Sequence, residues 1–410
     1  MELGLERVSR VWSRIGPKGL DFPVITVGGT NGKGSCVAFA EAMAEAGGYR
    51  TACYGSPHLL RYNERVRVGG DSVSDAALCG AFERVEAARG GMPLTYFEFG
   101  TLAALHLFAE AEPDLAILEV GLGGRLDAVN LIDADVAVVT SVGHDHQDWL
   151  GGSLDAIAVE KAGIFRKGRS AIIGQPDAPG RLRREAEDRG ALVLQVGWEI
   201  GVLPGSGAWT WTGPGGERLA LPTPAMRGRV QYQNAAAAIA ALRCLSQRLP
   251  LSVNAIRSGL GRARLNGRFQ VIPGDVTWIL DVAHNPEAAE VLAANLRGLP
   301  CPGRRHAVLA LLADKDPKAV AGPLVPWVET WFLGQSSDPR AMPVERLAEG
   351  LAAVLAGREP RILPDLPAAL DAALAQSAPG DCLLVFGSFT TVEAALRRLG
   401  VGPSAGILPH

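Results

Sequence analysis

The chain has 410 residues, with 40 Lys+Arg against 43 Asp+Glu and a formal net charge of −3. No basic block stands out of that balance, so nucleic-acid or membrane-surface binding has no electrostatic support, and no run of about 20 apolar residues is present to span a bilayer. The N-terminal MELGLERVSRVW lacks an apolar signal core, and six cysteines lie singly at 36, 53, 79, 244, 301 and 382 without CxxC or Cys/His spacing, which suits reduced thiols in a cytoplasmic globular protein.

Two to three domains fit this length. The β-branched run 24–27 reads as a buried strand; the turn GGTNGK follows, and a helical pattern runs from Cys36 to Ala46, stopping at Gly47-Gly48. Helical patterns cover Glu98–Glu110 and Leu154–Ala162, and the apolar runs Leu115–Val120 and Asp135–Ser141 are of parallel-sheet type. Apolar and polar residues alternate between glycine turns over 192–225, predicting a small antiparallel β meander. A helix is predicted over Asn234–Leu249, and glycine and proline punctuate 265–275 as a crossing point. A second alternating series follows. Its strands are predicted at Trp278–Asp281, Val308–Leu312, Thr330–Leu333 and Cys382–Phe386, and its helices at Glu287–Leu296, Val344–Leu355, Leu366–Ala375 and Thr391–Leu399. Pro403–His410 reads as a loose tail. The class is α/β: a P-loop domain with a small meander over 1–268, and a smaller Rossmann-like doubly wound domain over 269–410, with the site expected in a cleft between them.

Strand, glycine loop, lysine and helix form the geometry of a phosphate cradle, in which backbone N–H groups and the helix N-terminus face the anion and Lys33 neutralises it. Gly34 stands where the standard P-loop has Ser or Thr, and Ser35 comes one place later. An ordinary glycine turn would give the same Gly-Lys pair, but not Thr30-Asn31-Gly32 with it. Glu119 ends an apolar strand, the usual place for a magnesium ligand near such a loop; a solvated strand-end charge is the plainer alternative. In the next strand-end loop His144 and His146 flank Asp145, favouring a metal or phosphate role. Glu160-Lys161, read alone, is a solvated helix face.

Ten motifs then occur in order: GGTNGKGS (28–35), SPHLLRYNERVRV (56–68), TYFEFGT (95–101), EVGLGGRLDAVN (119–130), TSVGHDHQDWLG (140–151), EKAGI (160–164), LNGRFQ (265–270), DVAHNP (281–286), DKD (314–316) and GSFTTVEA (387–394). Together they closely resemble the folylpolyglutamate synthase/dihydrofolate synthase family of the Mur ligase superfamily, over nearly the whole chain.

The resemblance implies an ATP-dependent amide ligase that converts a folate-type carboxylate to an acyl phosphate, which the amino group of L-glutamate then attacks. A carboxylate is a poor electrophile until phosphorylated, and phosphoryl transfer depends chiefly on positioning and charge neutralisation. Carried over by motif, Asn31, Gly32, Lys33, Gly34 and Ser35 belong to the phosphate loop. Ser56 and Glu119 would hold one Mg2+ and His146 a second; Lys161 matches a carbamylated lysine that serves as an anionic metal ligand. From the other side of the cleft, Asn234, Arg268 and Asp281 match ATP-contacting positions. His284 and Ser388 would face the reacting centre or the incoming glutamate, and Lys33, Lys161 and His284 carry the catalytic roles. The pteroate side would be Gly4, Thr95, Tyr96, Leu126 and Asp127, with Tyr96 and Phe97 alternatively core and Asp127 alternatively a helix cap. The implied substrates are ATP, L-glutamate and dihydropteroate or a reduced folate; a K+ requirement is left open, and the family leans towards monomers.

Val282, Asn266, Thr390 and His144 depart from the family pattern without removing a charged ligand. Val282 bears on the 281–286 loop, where glycine would permit conformations valine does not. Competing readings are a cell-wall Mur ligase, which usually needs an extra N-terminal domain where this chain has 23 residues before its first strand, and a P-loop regulatory protein without ligase chemistry.

Overall fold

Runs of Val, Ile, Leu and Ala make the strands, and their burial on both faces explains why the runs are continuous rather than alternating. The computed structural model describes residues 4–17, 20–145, 147–205, 207–355 and 357–402. They fall into two compact units. The first comprises the chain up to His58, Tyr62–Ala225 and Val230–Ala263; the second comprises Leu59–Arg61, Met226–Arg229 and the chain from Arg264.

In the first unit, strands β1 (Val24–Gly28), β2 (Thr51–Tyr54), β3 (Val66–Val68), β4 (Asp71–Ser72), β5 (Leu115–Glu119), β6 (Val136–Val139), β7 (Ser170–Ile173) and β8 (Leu192–Gln195) form an eight-stranded sheet in the order β4-β3-β2-β5-β1-β6-β7-β8. All neighbours from β2 to β8 pair in parallel, whereas β3 and β4 add an antiparallel edge. The helix Lys33–Ala46 is rich in alanine and buries most of its residues. Gly259, on the helix Val253–Arg262, lets that helix approach it closely: a Cβ there would lie 2.4 Å from Met43 Cα.

A three-stranded antiparallel sheet, β9 (Gly201–Pro204), β10 (Ala208–Thr212) and β11 (Arg218–Pro222), is the meander. It is shorter than the 192–225 expected, because Leu192–Gln195 pairs in parallel with β7 and closes the large sheet instead. The alternation in β10 buries Trp209 and Trp211, whose indole N–H groups donate to Pro222 O at 2.9 Å and Ala236 O at 3.2 Å.

The second unit holds β12 (Gln270–Ile272), β13 (Thr277–Asp281), β14 (Arg305–Leu309), β15 (Thr330–Leu333), β16 (Arg361–Ile362) and β17 (Cys382–Phe386) in the order β12-β13-β17-β14-β15-β16. Only β12 is antiparallel. Helices Pro286–Arg297, Val344–Leu355, Leu366–Gln376 and Phe389–Arg398 match the predicted elements to within two residues at each end. β14 sits three residues earlier than predicted, since Arg305–Leu309 is the stretch in register with Cys382–Phe386. The predicted helix at Asn234–Leu249 runs Val230–Cys244 and gives way to turns before Pro250. No helix among the described residues is long and apolar enough to cross a membrane.

Candidate active site

Parallel strands end at one edge of a sheet, so β2, β5, β1 and β6, which are neighbours, deliver Ser56, Glu119, the glycine loop and Thr140-Ser141 to the same edge of the first unit. The loop is built by glycine and tied down by β6. Gly29 has φ of 143° and a Cβ there would fall 1.9 Å from Thr140 Oγ1; Gly32 has φ of 87° and a Cβ would fall 2.5 Å from Asn234 Oδ1. Only glycine satisfies both constraints. Thr140 Oγ1 donates to Asn31 O at 2.7 Å, and Ser141 Oγ accepts from Asn31 N at 2.9 Å. Thr30 N donates to Ser141 O at 2.9 Å.

Lys33 opens the helix that follows, and its Nζ donates back to Gly29 O at 3.0 Å and Thr30 O at 3.2 Å. Its charge is thus held over the loop that precedes it. Gly34 and Ser35 lie in the first turn of that helix, with Ser35 buried. Asn234 is buried on the helix Val230–Cys244, donates to Gln231 Oε1 at 3.1 Å and abuts Gly32. It therefore belongs to the first unit, beside the loop, and not with Arg268 and Asp281 as expected.

Glu119 is 6% exposed, and its Oε2 accepts from Ser56 N at 3.2 Å. Its charge helps push the buried Cys36 thiol up to about 12, although burial is the main cause. A buried carboxylate beside a phosphate loop is a donor suited to a hard divalent cation. Among the described residues no group of three or more His, Cys, Asp and Glu is arranged to hold a metal. His146 lies outside the described residues.

Lys161, in the last turn of the helix Leu154–Ala162, is only 3% exposed, so the solvated-face reading does not hold. Burial, reinforced by the charge of Lys33, pulls its amine down to about 7, against the opposing pull of Asp145 and Asp127. As an ammonium it would repel a divalent cation; as free base it is the form that captures carbon dioxide to become an anionic carbamate. That chemistry fits the expected ligand.

Asp127 caps the short 3-10 helix Ala128–Leu131. Its Oδ2 accepts from Leu122 N at 2.8 Å and its Oδ1 from Val129 N at 3.0 Å. Burial raises the carboxyl to about 6 in spite of these bonds. Thr95 is the N-cap of the helix Tyr96–Ala111 in a reciprocal capping box: Glu98 N donates to Thr95 Oγ1 at 3.2 Å and Thr95 N to Glu98 Oε2 at 2.7 Å. Glu98 also receives Arg7 at 3.1 Å, tying down the N-terminal helix Glu6–Ile15. Tyr96 is 64% exposed, which excludes the core alternative, whereas Phe97 is half-buried against Tyr54. Leu126 is half-buried, and a Cβ at Gly4 would meet nothing within 4 Å.

Sequence reasoning missed the group around Tyr96. The Arg65 guanidinium sits 5.3 Å from the Tyr96 ring centroid and 5.1 Å from that of Tyr62, and Arg65 Nε donates to His58 Nδ1 at 2.9 Å. The signal available was the charged residue inside the aromatic-bearing SPHLLRYNERVRV motif.

In the second unit β13 and β17 are adjacent and parallel, so Asp281 and Ser388 emerge at one edge. Asp281 Oδ2 accepts from Phe269 N and Oδ1 from Ala283 N, both at 2.8 Å. Burial raises its carboxyl, with Arg268 as the largest opposing influence. This clasp holds Phe269 at φ of 42° and so fixes Arg268, whose guanidinium lies 5.3 Å from the Phe389 ring centroid. His284 Nδ1 lies 2.7 Å from Val282 O, and its ring centroid is 6.5 Å from that of Phe389. Ser388 is a buried N-cap, accepting from Thr391 N at 3.1 Å. Val282 needs no glycine conformation, since the positive-φ non-glycine residues are Glu112 and Phe269 alone among those described.

The family model for the Mur ligase middle domain matches residues 27–242, and that for the Mur ligase glutamate ligase domain matches 267–389. A dihydrofolate synthase/folylpolyglutamate synthase from Escherichia coli K12 is 44% identical over 407 residues, covering 99% of this chain and 93% of the relative. The chain belongs to the dihydrofolate synthase/folylpolyglutamate synthase family of Mur ligases. Among solved structures, E. coli FolC in complex with DHPP and ADP is similar with a TM-score of 0.91 and 43% identity, covering 98% of this chain and 94% of that one. A bifunctional folylpolyglutamate synthase/dihydrofolate synthase with Mn, AMPPNP and L-glutamate bound gives 0.89 and 41%, covering 98% and 95%. The two-unit α/β architecture described above is that of this family.

Proposed function

We propose that this chain is an ATP-dependent amide ligase that adds L-glutamate to dihydropteroate, to a reduced folate, or to both. The observation that carries the reading is that the Lys33 loop, Glu119 and the buried Lys161 lie within one unit of a chain that belongs to this family. In the first half-reaction a substrate carboxylate oxygen attacks the γ-phosphorus of ATP, and ADP leaves. In the second the glutamate amine attacks the acyl carbon, phosphate leaves and the nitrogen sheds a proton.

Asn31, Gly32, Lys33, Gly34 and Ser35 bind the phosphates, with Lys33 leaving its own loop carbonyls for the transferring oxygens. Asn234, Arg268 and Asp281 bind the nucleotide. Lys161, as a carbamate, Ser56, Glu119 and His146 would hold Mg2+, which when bound neutralises phosphate charge. Gly4, Thr95, Tyr96, Leu126 and Asp127 take the pteroate side, and His284 and Ser388 the glutamate side. The relatives' complexes with nucleotide, Mn and L-glutamate support these ligand classes. We further place the protein in the cytoplasm as a monomer acting on small molecules, without nucleic-acid or membrane partners, and leave K+ dependence open.

ADP release with magnesium, ATP and L-glutamate, supplied with dihydropteroate in one series and tetrahydrofolate in another, tests the reading. Activity with both establishes the bifunctional ligase, and activity with one fixes which carboxylate is accepted. No glutamate-dependent ADP release from folded, ATP-binding protein in either series overturns it.

A further inference from the structure

Cys301 and Cys382 stand 81 positions apart in the sequence, yet the strand order of the second unit brings them together. β17 lies beside β14, and Cys382 opens β17 opposite Arg305. Cys382 N donates to Arg304 O at 2.9 Å, while the Cys301 thiol lies 3.5 Å from the same oxygen, 3.3 Å from Gly303 O and 4.0 Å from Gly380 O. Both side chains belong to the same apolar cluster, Cys382 as a buried member and Cys301 as a half-buried one packed against it. Burial drives the Cys382 thiol up to about 12, and the neighbouring Cys301 thiol adds to the rise.

These features divide the labour of a thiol pair. Cys301 is half-buried, and Cys382 lies fully buried beside it, its backbone N–H sharing Arg304 O with the Cys301 thiol. The pair sits at the N-terminal end of β17, whereas Ser388 follows its C-terminal end, so it lies outside the machinery proposed for ligation.

We propose that Cys301 and Cys382 are a modification site that closes to an intramolecular disulfide on two-electron oxidation by a peroxide. The Cys301 thiolate attacks the peroxide: an S–O bond forms, the O–O bond breaks, and one oxygen leaves as water after protonation. The Cys382 sulfur then attacks the resulting sulfenic acid; the S–S bond forms, the S–O bond breaks, and a second water leaves with the Cys382 proton. Two sulfurs each lose one electron, and the peroxide is reduced to two waters. The cross-link fastens the turn before β14 to the start of β17 and closes a long loop, which restrains the unfolded chain.

The full-length protein, reduced and then titrated with hydrogen peroxide, is the test. Titratable thiols in denaturant are expected to fall from six to four, with loss of the mass of two hydrogens and a linked peptide containing both residues. The thermal midpoint should rise and return with dithiothreitol. Cys301→Ser, at the half-exposed position, should abolish the linked peptide and the midpoint shift while Cys382 stays reduced; Cys382→Ala should leave Cys301 to advance to sulfinic acid. Oxidation of the exposed Cys79 while Cys301 and Cys382 stay reduced would overturn the proposal. So would advance of wild-type Cys301 to sulfinic acid without linkage.

Discussion

Replacing Lys161 with methionine separates what the buried amine costs the fold from what it gives the reaction. Burial and Lys33 bring the amine from an ordinary 10.5 to about 7. At neutral pH such an amine is about half free base, against roughly one part in three thousand for an ordinary lysine. The unfolded chain keeps this proton up to about pH 10.5, whereas the folded chain releases it near 7. Between those values the unfolded state binds more protons, so this residue makes stability rise with pH across that window. From about pH 6.5 to about pH 9 its penalty shrinks by about 2–3 kcal/mol.

Methionine is close in length and cannot titrate. Lys161→Met is therefore expected to exceed the parent in stability by a margin that narrows by about 2–3 kcal/mol over that range. Urea unfolding of both chains, in buffer freed of carbon dioxide, measures the margin at each pH, and groups remote from residue 161 cancel. Asp127 titrates in a lower window, between an ordinary 3.8 and about 6, where its raised value makes stability fall as pH rises. It does not blur the measurement. The same variant should lose most ADP release. A margin independent of pH, or one that widens towards high pH, would refute the buried-amine argument, whatever the activity did.

Glu119→Gln keeps an acceptor for Ser56 N but removes the charge; ligase activity should fall by roughly 100-fold or more and demand more magnesium, and an unchanged magnesium dependence of ADP release would count against the metal role. Gly32→Ala places a Cβ 2.5 Å from Asn234 Oδ1 at φ of 87°, so thermal unfolding should show a loss of about 1–3 kcal/mol, with a higher KM for ATP. In Asp281→Asn the amide offers one acceptor where the carboxylate serves two backbone N–H groups; a loss of about 1–3 kcal/mol is expected, and urea unfolding with no change would show that the clasp is dispensable.

The fold was most legible where a strand is buried on both faces. β1, β5, β13, β15 and β17 are continuous apolar runs, and each lies inside its sheet with neighbours on either side. Leu192–Gln195 failed that test because an edge strand with exposed Leu192 alternates like a meander. Only pairing with β7 reveals which sheet it joins. The Lys33 loop was legible from glycine chemistry alone. Lys161 was not, because Glu-Lys on a helix looks the same whether that face meets water or protein. Asn234 stands two hundred residues from the loop it abuts, and no local pattern encodes that contact. In both cases the sequence motif pointed to the residue, and tertiary packing supplied its environment.

Three residues assigned to ligands are also helix caps: Thr95, Asp127 and Ser388. The two roles need not compete. A carboxylate has about four acceptor sites, and Asp127 uses two of them on the backbone N–H groups of Leu122 and Val129. The Ser388 hydroxyl accepts from Thr391 N and donates to Thr391 Oγ1 at 2.6 Å, whose own proton goes to Ala310 O, so what it keeps for a ligand is acceptor capacity. Capping fixes the side chain before any ligand arrives, so its remaining hydrogen-bonding capacity is presented without further loss of rotamer freedom. Loss of activity at these positions is therefore poor proof of ligand contact, because removing the cap displaces the backbone that follows. The residue best able to separate binding from folding lies outside any cap: Tyr96, which is exposed.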